Sequence, residues 1–524
     1  MSLLRQNIDS LVEGFYQIGV RQWIISPGSR NAPIVASIVK HGKFNLISQP
    51  DERAAAFIGL GANMANELTG IICTSGTAVL NYYPAVCEAF YAQTPLLVVS
   101  ADRPKELIDQ WDGQTIRQEN IFEKHCKTSY SIDANLHEEA ENEIASTINA
   151  INKDLKSHDF GPVHLNVPIA EPLYKNIDSA FEARSIQLNS IEPESHFDTI
   201  PNISADANIL LFVGELNSKD SDDLALGQLG SAFPILTEKT SNCKVSLWDG
   251  WEQNFKKLNG LPKPDVLITL GKNYVNKDFK NFIRANKPKS HIHIQTSKYV
   301  GNPFDTDMQS YRLESINRLE EALKQHTNQD KFNDLWKIGL IKNENSNETL
   351  INKSTELEAI NEVFNSSFDA IHIGNSTPIR LAGLLHQPKA NVYCNRGTSG
   401  IDGCVSTAVG YAISKPLEKV ACIVGDISFL YDSNAFWCEP KPKNLQLIVL
   451  NNGAGNIFNL IEGPNLLPEM TPYIQTPHKL TCEHYAKHYC LSYSTDKKRI
   501  SSNIQLIEIF ISGNESLWEL LAQK

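Results

Sequence analysis

Val420-Ala-Cys-Ile-Val-Gly-Asp426 and Leu447-Ile-Val-Leu-Asn-Asn452 are two apolar runs, each ending on a side chain able to bind a hard cation. Both read as buried parallel strands, and Tyr431 to Trp437 between them reads as the crossover helix that returns the chain to the same sheet. Asp426 and Asn452 then emerge side by side at the carboxyl ends of strands, where open α/β sheets bind ligands. Asp supplies a charged oxygen and Asn a neutral carbonyl. Mg²⁺ takes few protein ligands, and a diphosphate can fill other coordination positions. Taken alone, the same residues also fit an ordinary Gly-Asp turn and an Asn-Asn-Gly turn.

With 524 residues the chain has room for about three domains, each able to bury its own core. Hydrophobic residues at 41% and charged residues at 21% place it among globular proteins. No apolar stretch approaches the roughly 20 residues of a membrane helix. The opening MSLLRQNIDS has no signal-peptide apolar core, so the expectation is a cytoplasmic protein with no membrane span. A net charge of −12 argues against general affinity for nucleic acid, though local basic pockets remain compatible with it. The ten cysteines contain no CxxC pair, and several lie in apolar runs (Cys73, Cys87, Cys422), which suits reduced, buried thiols.

Strand and helix patterns alternate along the chain, which predicts the α/β class: three consecutive α/β domains with mainly parallel sheets. The first, 1–176, carries strands at Gln22 to Ser26, Gly70 to Thr74 and Leu96 to Ser100, with a helix over Glu52 to Asn66. Polar residues Ile177 to Ala205, with Pro193 and Pro201, read as a linker into the middle domain, 177–350. Its strands are Ile209 to Gly214, Val266 to Gly271 and Ile292 to Gln295, and the polar stretch Asn328 to Asn352 closes it as a partly helical segment. The third domain, 351–524, has strands at Ala370 to Gly374, Val392 to Asn395, Val420 to Gly425, Leu447 to Asn452 and Ile504 to Phe510. The outer thirds share a style that the middle third shares only in part.

Three strand-to-helix turns in the first domain carry chemistry. Ser26-Pro-Gly-Ser-Arg30 brings small residues, backbone N–H groups and a guanidinium toward an anion. Gln49-Pro-Asp-Glu-Arg53 puts Glu52 in the first turn of an Ala-rich helix, where an acid also simply complements the helix dipole. Thr74-Ser-Gly-Thr-Ala78 is a third glycine-bearing turn.

PGSR, PDER, TSGTA with NYYPAVCEA, ADRP with ELID, NRGTSGIDG, GDISFLYDSNAF and NNGAGNIF follow one another in this order. The series resembles the thiamine-diphosphate-dependent enzymes over essentially the whole chain. Within them it is most similar to the 2-succinyl-5-enolpyruvyl-6-hydroxy-3-cyclohexene-1-carboxylate synthase family of menaquinone biosynthesis. The resemblance implies a thiamine-diphosphate-binding fold and a transferase that decarboxylates 2-oxoglutarate and adds the remaining unit to isochorismate. It implies a homodimer or tetramer with active sites at the subunit interface. The aminopyrimidine would be received by the amino-terminal domain and the diphosphate by the carboxyl-terminal one.

Residue by residue, the resemblance makes Glu52 the catalytic carboxyl that hydrogen-bonds the pyrimidine ring and promotes its imino tautomer. Asp426, Asn452 and the backbone carbonyl of Ala454 match the ligands of Mg²⁺ or Mn²⁺. Ser75, Ser376, Gly425, Ile427, Ser428 and Ile457 match cofactor-side positions, and Ile401 matches the bulky residue that props the cofactor into a bent shape. For substrates, whose four carboxylates call for guanidinium forks, the matching positions are Ser29, Arg30, Arg103, Gln114, Arg117, Lys277, Arg380 and Arg396. Phe458 adds an apolar wall. One departure stands out: the family often offers two adjacent basic residues in its middle domain, whereas this chain has Lys277-Asp278, so either Lys280 takes part or the middle-domain contact is weaker here.

Two rival readings are another thiamine-diphosphate enzyme of the acetolactate-synthase or decarboxylase type and a non-catalytic, cofactor-binding regulatory protein. The chain lacks the adjacent His-His pair of several decarboxylases. Glu52 weighs against the regulatory reading, because binding alone does not need its acid–base capacity.

Overall fold

The computed structural model describes residues 3–135, 140–157, 160–174, 178–184, 186–191, 197–216, 223–244, 251–255, 260–295, 299–313, 315–324, 326, 330–341, 351, 354–460, 463 and 466–511. Residues 176, 177 and 350, at the expected junctions, lie outside these residues, as do parts of the Ile177 to Ala205 and Asn328 to Asn352 stretches and everything beyond Ile511. Within the latter stretch a helix covers Asp330–Ile341. Among the described residues no helix is long and apolar enough to cross a membrane.

Among the described residues, seventeen strands form three sheets. The first holds β1 (Gln22–Ile25), β2 (Asn45–Ser48), β3 (Thr69–Cys73), β4 (Leu96–Asp102), β5 (Thr128–Ser131) and β6 (Pro162–Pro168). The second holds β7 (Ile209–Val213), β8 (Ile235–Thr237), β9 (Val266–Leu270), β10 (Ser290–Gln295) and β11 (Met308–Arg312). The third holds β12 (Ala370–Ile373), β13 (Asn391–Tyr393), β14 (Val420–Gly425), β15 (Leu445–Asn451), β16 (Tyr493–Ser494) and β17 (Leu506–Phe510). Strand pairing is parallel in all three. The central strands are buried on both faces, which is why they read as nearly continuous apolar runs.

The two outer sheets have the same strand order, β2-β1-β3-β4-β6-β5 and β13-β12-β14-β15-β17-β16. The middle sheet runs β11-β10-β9-β7-β8. In each sheet the first and third strands are neighbours whose crossovers lead away in opposite directions, which opens a crevice at their carboxyl ends. The turns after β1 and β3 are the PGSR and TSGTA segments; those after β12 and β14 begin with Gly374-Asn-Ser376 and Gly425-Asp426. The fold therefore delivers the chemistry-bearing segments to two such switch points.

The chain divides into two compact units, one of residues 1–193, 395–418 and 430–445, the other of 194–394, 419–429 and 446–524. In the first, helix Glu52–Met64 packs directly on helix Cys404–Ser414. A Cβ on Gly61 would lie 1.9 Å from the Thr407 carbonyl oxygen, and one on Gly410 1.9 Å from that of Ile58. Glycine on both helices thus permits a backbone-to-backbone crossing. In the second unit Ile371, Ile423, Ile448 and Ile507 form the centre of an apolar core around the third sheet, each contributing about 1.5–3 kcal/mol by leaving water.

One expected element needs correction. The crossover from β14 to β15 is helical over Asp426–Tyr431 and continues as a 3-10 turn, Ser433–Trp437, rather than as a helix over Tyr431 to Trp437. Asp426 Oδ1 accepts the Ile427 N–H at 2.7 Å and so starts the helix at the strand's end. Asp432, just past the helix, is buried and accepts the Ser406 N–H and hydroxyl, both at 2.7 Å, a tertiary anchor between residues 26 positions apart.

Candidate functional site

At the carboxyl edge of the third sheet, Asp426 follows β14 and is buried. Its Oδ2 accepts the Gly453 N–H at 2.7 Å, which ties the turn after β15 to the end of β14. His478 Nδ1 accepts the Leu480 N–H at 3.2 Å, and its Nε2 lies 3.4 Å from Asp426 Oδ2. Burial pushes the Asp426 carboxyl up, while the Ile427 and Gly453 amides and His478 pull the other way.

The adjacent carboxamides of Asn451 and Asn452 are each oriented by a buried carboxylate. Asn451 Nδ2 donates to Glu508 Oε1 at 2.6 Å, and Glu508 also accepts the Tyr493 hydroxyl at 2.6 Å. Asn452 Nδ2 lies 3.4 Å from Glu356 Oε1, leaving its Oδ1 turned toward the Ala454 N–H at 3.3 Å. Burial raises the Glu356 carboxyl and the charge of Asp426 adds to the rise. The Ala454 carbonyl accepts the Asn456 N–H at 2.9 Å, and Ile457 and Phe458 follow in the 3-10 turn Asn456–Leu460. Ser376, after β12, has φ +74°, an uncommon conformation for a residue with a side chain. Its carbonyl accepts a hydrogen bond from Arg380 Nη1 at 2.6 Å. Lys277 is exposed at the start of helix Lys277–Ala285, whereas Lys280 Nζ turns to the Tyr274 carbonyl at 3.1 Å.

At the edge of the first sheet the PGSR and TSGTA turns lie against each other: a Cβ on Gly28 would fall 2.2 Å from Thr74 Cβ. Arg30 is buried, donates to the Ile169 carbonyl at 2.8 Å and pairs with Glu171 at 3.2 Å. Arg103, just past β4, reaches the same Glu171 carboxylate at 3.8 Å and also pairs with Asp112. Ser29 is exposed one residue before Arg30. Ser75 Oγ donates to the Gln114 carbonyl at 2.9 Å, and Gln114 itself has φ +56°. Arg117 is exposed and paired with Asp109 at 2.8 Å, so it stays apart from the Arg30–Arg103 pair in its contacts.

Glu52 opens helix Glu52–Met64 beside Asp51, whose side chain caps the helix by accepting the Arg53 N–H at 3.0 Å. Burial raises the Glu52 carboxyl, and the charge of Asp51 raises it further. Burial also raises the Cys73 thiol and the Tyr82 phenol, with the charge of Glu52 adding to both. In the same unit Gly403 has φ +70°, and a Cβ there would lie 2.1 Å from the Phe57 ring. The loop carrying Arg396 and Ile401 is thereby anchored against the helix that Glu52 begins.

Gln118, Glu356, Glu508 and His478 were not singled out by sequence. Gln118 is buried, accepts the Gly76 N–H at 2.8 Å and donates to Asn166 Oδ1 at 3.0 Å. Each binds a partner remote along the chain, which leaves no spacing signal.

The donor set of Asp426, Asn452 and the Ala454 carbonyl is all oxygen, as Mg²⁺ requires. Among the described residues no group of three or more His, Cys, Asp and Glu converges to make a complete metal cage. The three oxygens expected to face a cation follow β14 and β15, and the Asp426 carboxylate among them is buried.

The family model described as thiamine pyrophosphate enzyme, N-terminal TPP binding domain, matches residues 8–123. A 2-succinyl-5-enolpyruvyl-6-hydroxy-3-cyclohexene-1-carboxylate synthase from Flavobacterium johnsoniae is 38% identical, over 95% of this chain and 93% of its own length. Relatives of the same name from Cytophaga hutchinsonii and Bacteroides thetaiotaomicron are 34% and 32% identical, each over 96% of this chain and over 93% and 92% of their own lengths. Identity of this extent, carried across all three sheets, shows that the chain belongs to the 2-succinyl-5-enolpyruvyl-6-hydroxy-3-cyclohexene-1-carboxylate synthase family of thiamine-diphosphate enzymes.

Proposed function

We propose that the chain decarboxylates 2-oxoglutarate and adds the remaining four-carbon unit to isochorismate, releasing CO₂ and the 2-succinyl-5-enolpyruvyl-6-hydroxy-3-cyclohexene-1-carboxylate product for menaquinone biosynthesis. The observation that carries the substrate side is the approach of Arg30 and Arg103 to a single carboxylate, Glu171, beside the PGSR turn. In a chain of net charge −12, two guanidinium groups gathered at one anion suit dicarboxylate substrates.

When bound, thiamine diphosphate supplies an acidic carbon and an electron sink for breaking and making carbon–carbon bonds. Glu52 holds a proton between its carboxyl and a ring nitrogen of the aminopyrimidine; burial, which favours the neutral acid, suits that task. Asp426, Asn452 and the Ala454 carbonyl hold Mg²⁺ or Mn²⁺ against the diphosphate. Ser75, Ser376, Gly425, Ile427, Ser428 and Ile457 line the cofactor and Ile401 supports it. Ser29, Arg30, Arg103, Gln114, Arg117, Lys277, Arg380 and Arg396 receive substrate polar groups, and Phe458 shields them from water.

The assembly is a homodimer or tetramer with active sites at the subunit interface, acting in the cytoplasm. Its functional segments are 1–176 for the pyrimidine, 177–350 as the middle segment and 351–524 for the diphosphate and metal. Donor choice tests the reading: with cofactor, Mg²⁺ and isochorismate present, 2-oxoglutarate is consumed and pyruvate is not. Arg103→Ala raises the KM of a dicarboxylate substrate by about tenfold or more. Equal use of pyruvate, or an unchanged KM in Arg103→Ala, would count against it.

A further inference from the structure

Glu88 lies on helix Tyr83–Tyr91 and its side chain is buried. Its carboxylate accepts three hydrogen bonds from one short segment: the Gly397 N–H at 2.7 Å, the Thr398 N–H at 2.6 Å and the Thr398 hydroxyl at 2.7 Å. Consecutive backbone N–H groups that converge in this way form an anion-binding nest. Here the anion is the chain's own side chain, 309 positions away in sequence.

Geometry around the contact leaves little freedom. A Cβ on Gly397 would lie 2.5 Å from the Glu88 carbonyl oxygen and 2.7 Å from the Ala92 nitrogen, so the loop rests directly on the last turn of the helix. Upstream, Asn395 Nδ2 donates to Thr407 Oγ1 at 2.9 Å. Arg396 therefore sits between two fixed points, Asn395 and Gly397, and its backbone direction is set by both. With Glu88 in place, the Gly397 and Thr398 amides are already taken and are not offered to a substrate carboxylate.

We infer that Glu88 is a positioning residue for substrate recognition, holding the Gly397 and Thr398 amides so that Arg396 is presented to a substrate carboxylate. The inference rests on the reading above that Arg396 meets substrate. Glu88→Gln keeps the shape of the side chain but removes the charge and one acceptor. Thr398→Val removes only the hydroxyl donor at an exposed position.

The experiment uses the full chain with thiamine diphosphate and Mg²⁺. It compares Glu88→Gln, Thr398→Val, Arg396→Ala and the Glu88→Gln/Arg396→Ala double variant. Hydrogen exchange of the 397 and 398 amides is followed, together with KM for 2-oxoglutarate and isochorismate. Glu88→Gln is expected to speed that exchange and to raise KM for one substrate, each by about tenfold, with kcat changed less. Thr398→Val shifts both in the same direction by a smaller factor. The double variant is no worse than Arg396→Ala alone, because positioning has no effect once the positioned group is gone.

Unchanged exchange in Glu88→Gln, or additive losses in the double variant, overturns the inference while leaving the function intact. An unchanged KM in Arg396→Ala instead removes the substrate role of Arg396, and the inference falls with it.

Discussion

The Gly453 N–H donates to Asp426 Oδ2 at 2.7 Å, so the turn after β15 is hydrogen-bonded to the first residue after β14. This bond ties together the two polar strand ends that carry the proposed metal ligands. It also keeps one carboxylate oxygen facing the segment that carries Asn452 and Ala454.

Removing that carboxylate must therefore weaken metal binding first. Asp426→Ala is expected to raise the Mg²⁺ concentration for half-maximal thiamine diphosphate binding by at least about 100-fold. Glu356→Leu, which frees the Asn452 amide, raises it by about tenfold. Titration calorimetry of Mg²⁺ in the presence of cofactor measures both. An unchanged requirement in Asp426→Ala rules out the proposed ligand set.

Glu52 is raised by burial and by its neighbour Asp51, and the proposed role uses its proton rather than its shape. Glu52→Gln should lower kcat by at least about 100-fold while the affinity for thiamine diphosphate changes far less. Parallel losses of both would make Glu52 a binding residue only.

Gly61 tests the helix crossing. Alanine favours a helix interior by about 1 kcal/mol over glycine, but its Cβ would meet the Thr407 carbonyl oxygen at 1.9 Å. Separating two packed helices outweighs the propensity gain, so Gly61→Ala should destabilise the fold by about 1–3 kcal/mol. Calorimetric unfolding decides the sign, and a raised midpoint would contradict the contact.

Asp432 gives a pH dependence. Burial pushes its carboxyl up to about 7, opposed by the bonds from Ser406 and the charge of Arg53. Between about pH 4 and 7 the native chain then holds a proton that the unfolded chain has released. The contribution of this group to stability is fully present below about pH 4 and is lost as pH rises through about 7. Asp432→Asn should remove that slope. Denaturant unfolding of the two proteins across the window measures it, and parallel curves would refute it.

The buried central strands were legible because full burial demands unbroken apolar runs. β3, β4, β7, β9, β12, β14 and β15 fall within two residues of their expected bounds. β2, β5, β6, β8, β11 and β16 were not among the expected strands, and all but β6, whose run is broken by Pro162, His164, Asn166 and Pro168, are edge strands. β2, β5, β11 and β16 are also incompletely buried, so neither alternation nor an apolar run marks them. The Asp426 and Asn452 segments could be placed because each ends a central strand. Glu88, Glu356 and Asp432 could not, since their meaning depends on partners brought close only by folding, as with Glu88 and Gly397.

The most direct test of the central claim is the absorbance of isochorismate after the purified chain, thiamine diphosphate and Mg²⁺ are mixed with 2-oxoglutarate. The account predicts loss of absorbance that requires both the cofactor and 2-oxoglutarate, with the carboligated product found by mass spectrometry. Isochorismate left intact by a chain that binds the cofactor would contradict the proposed reaction.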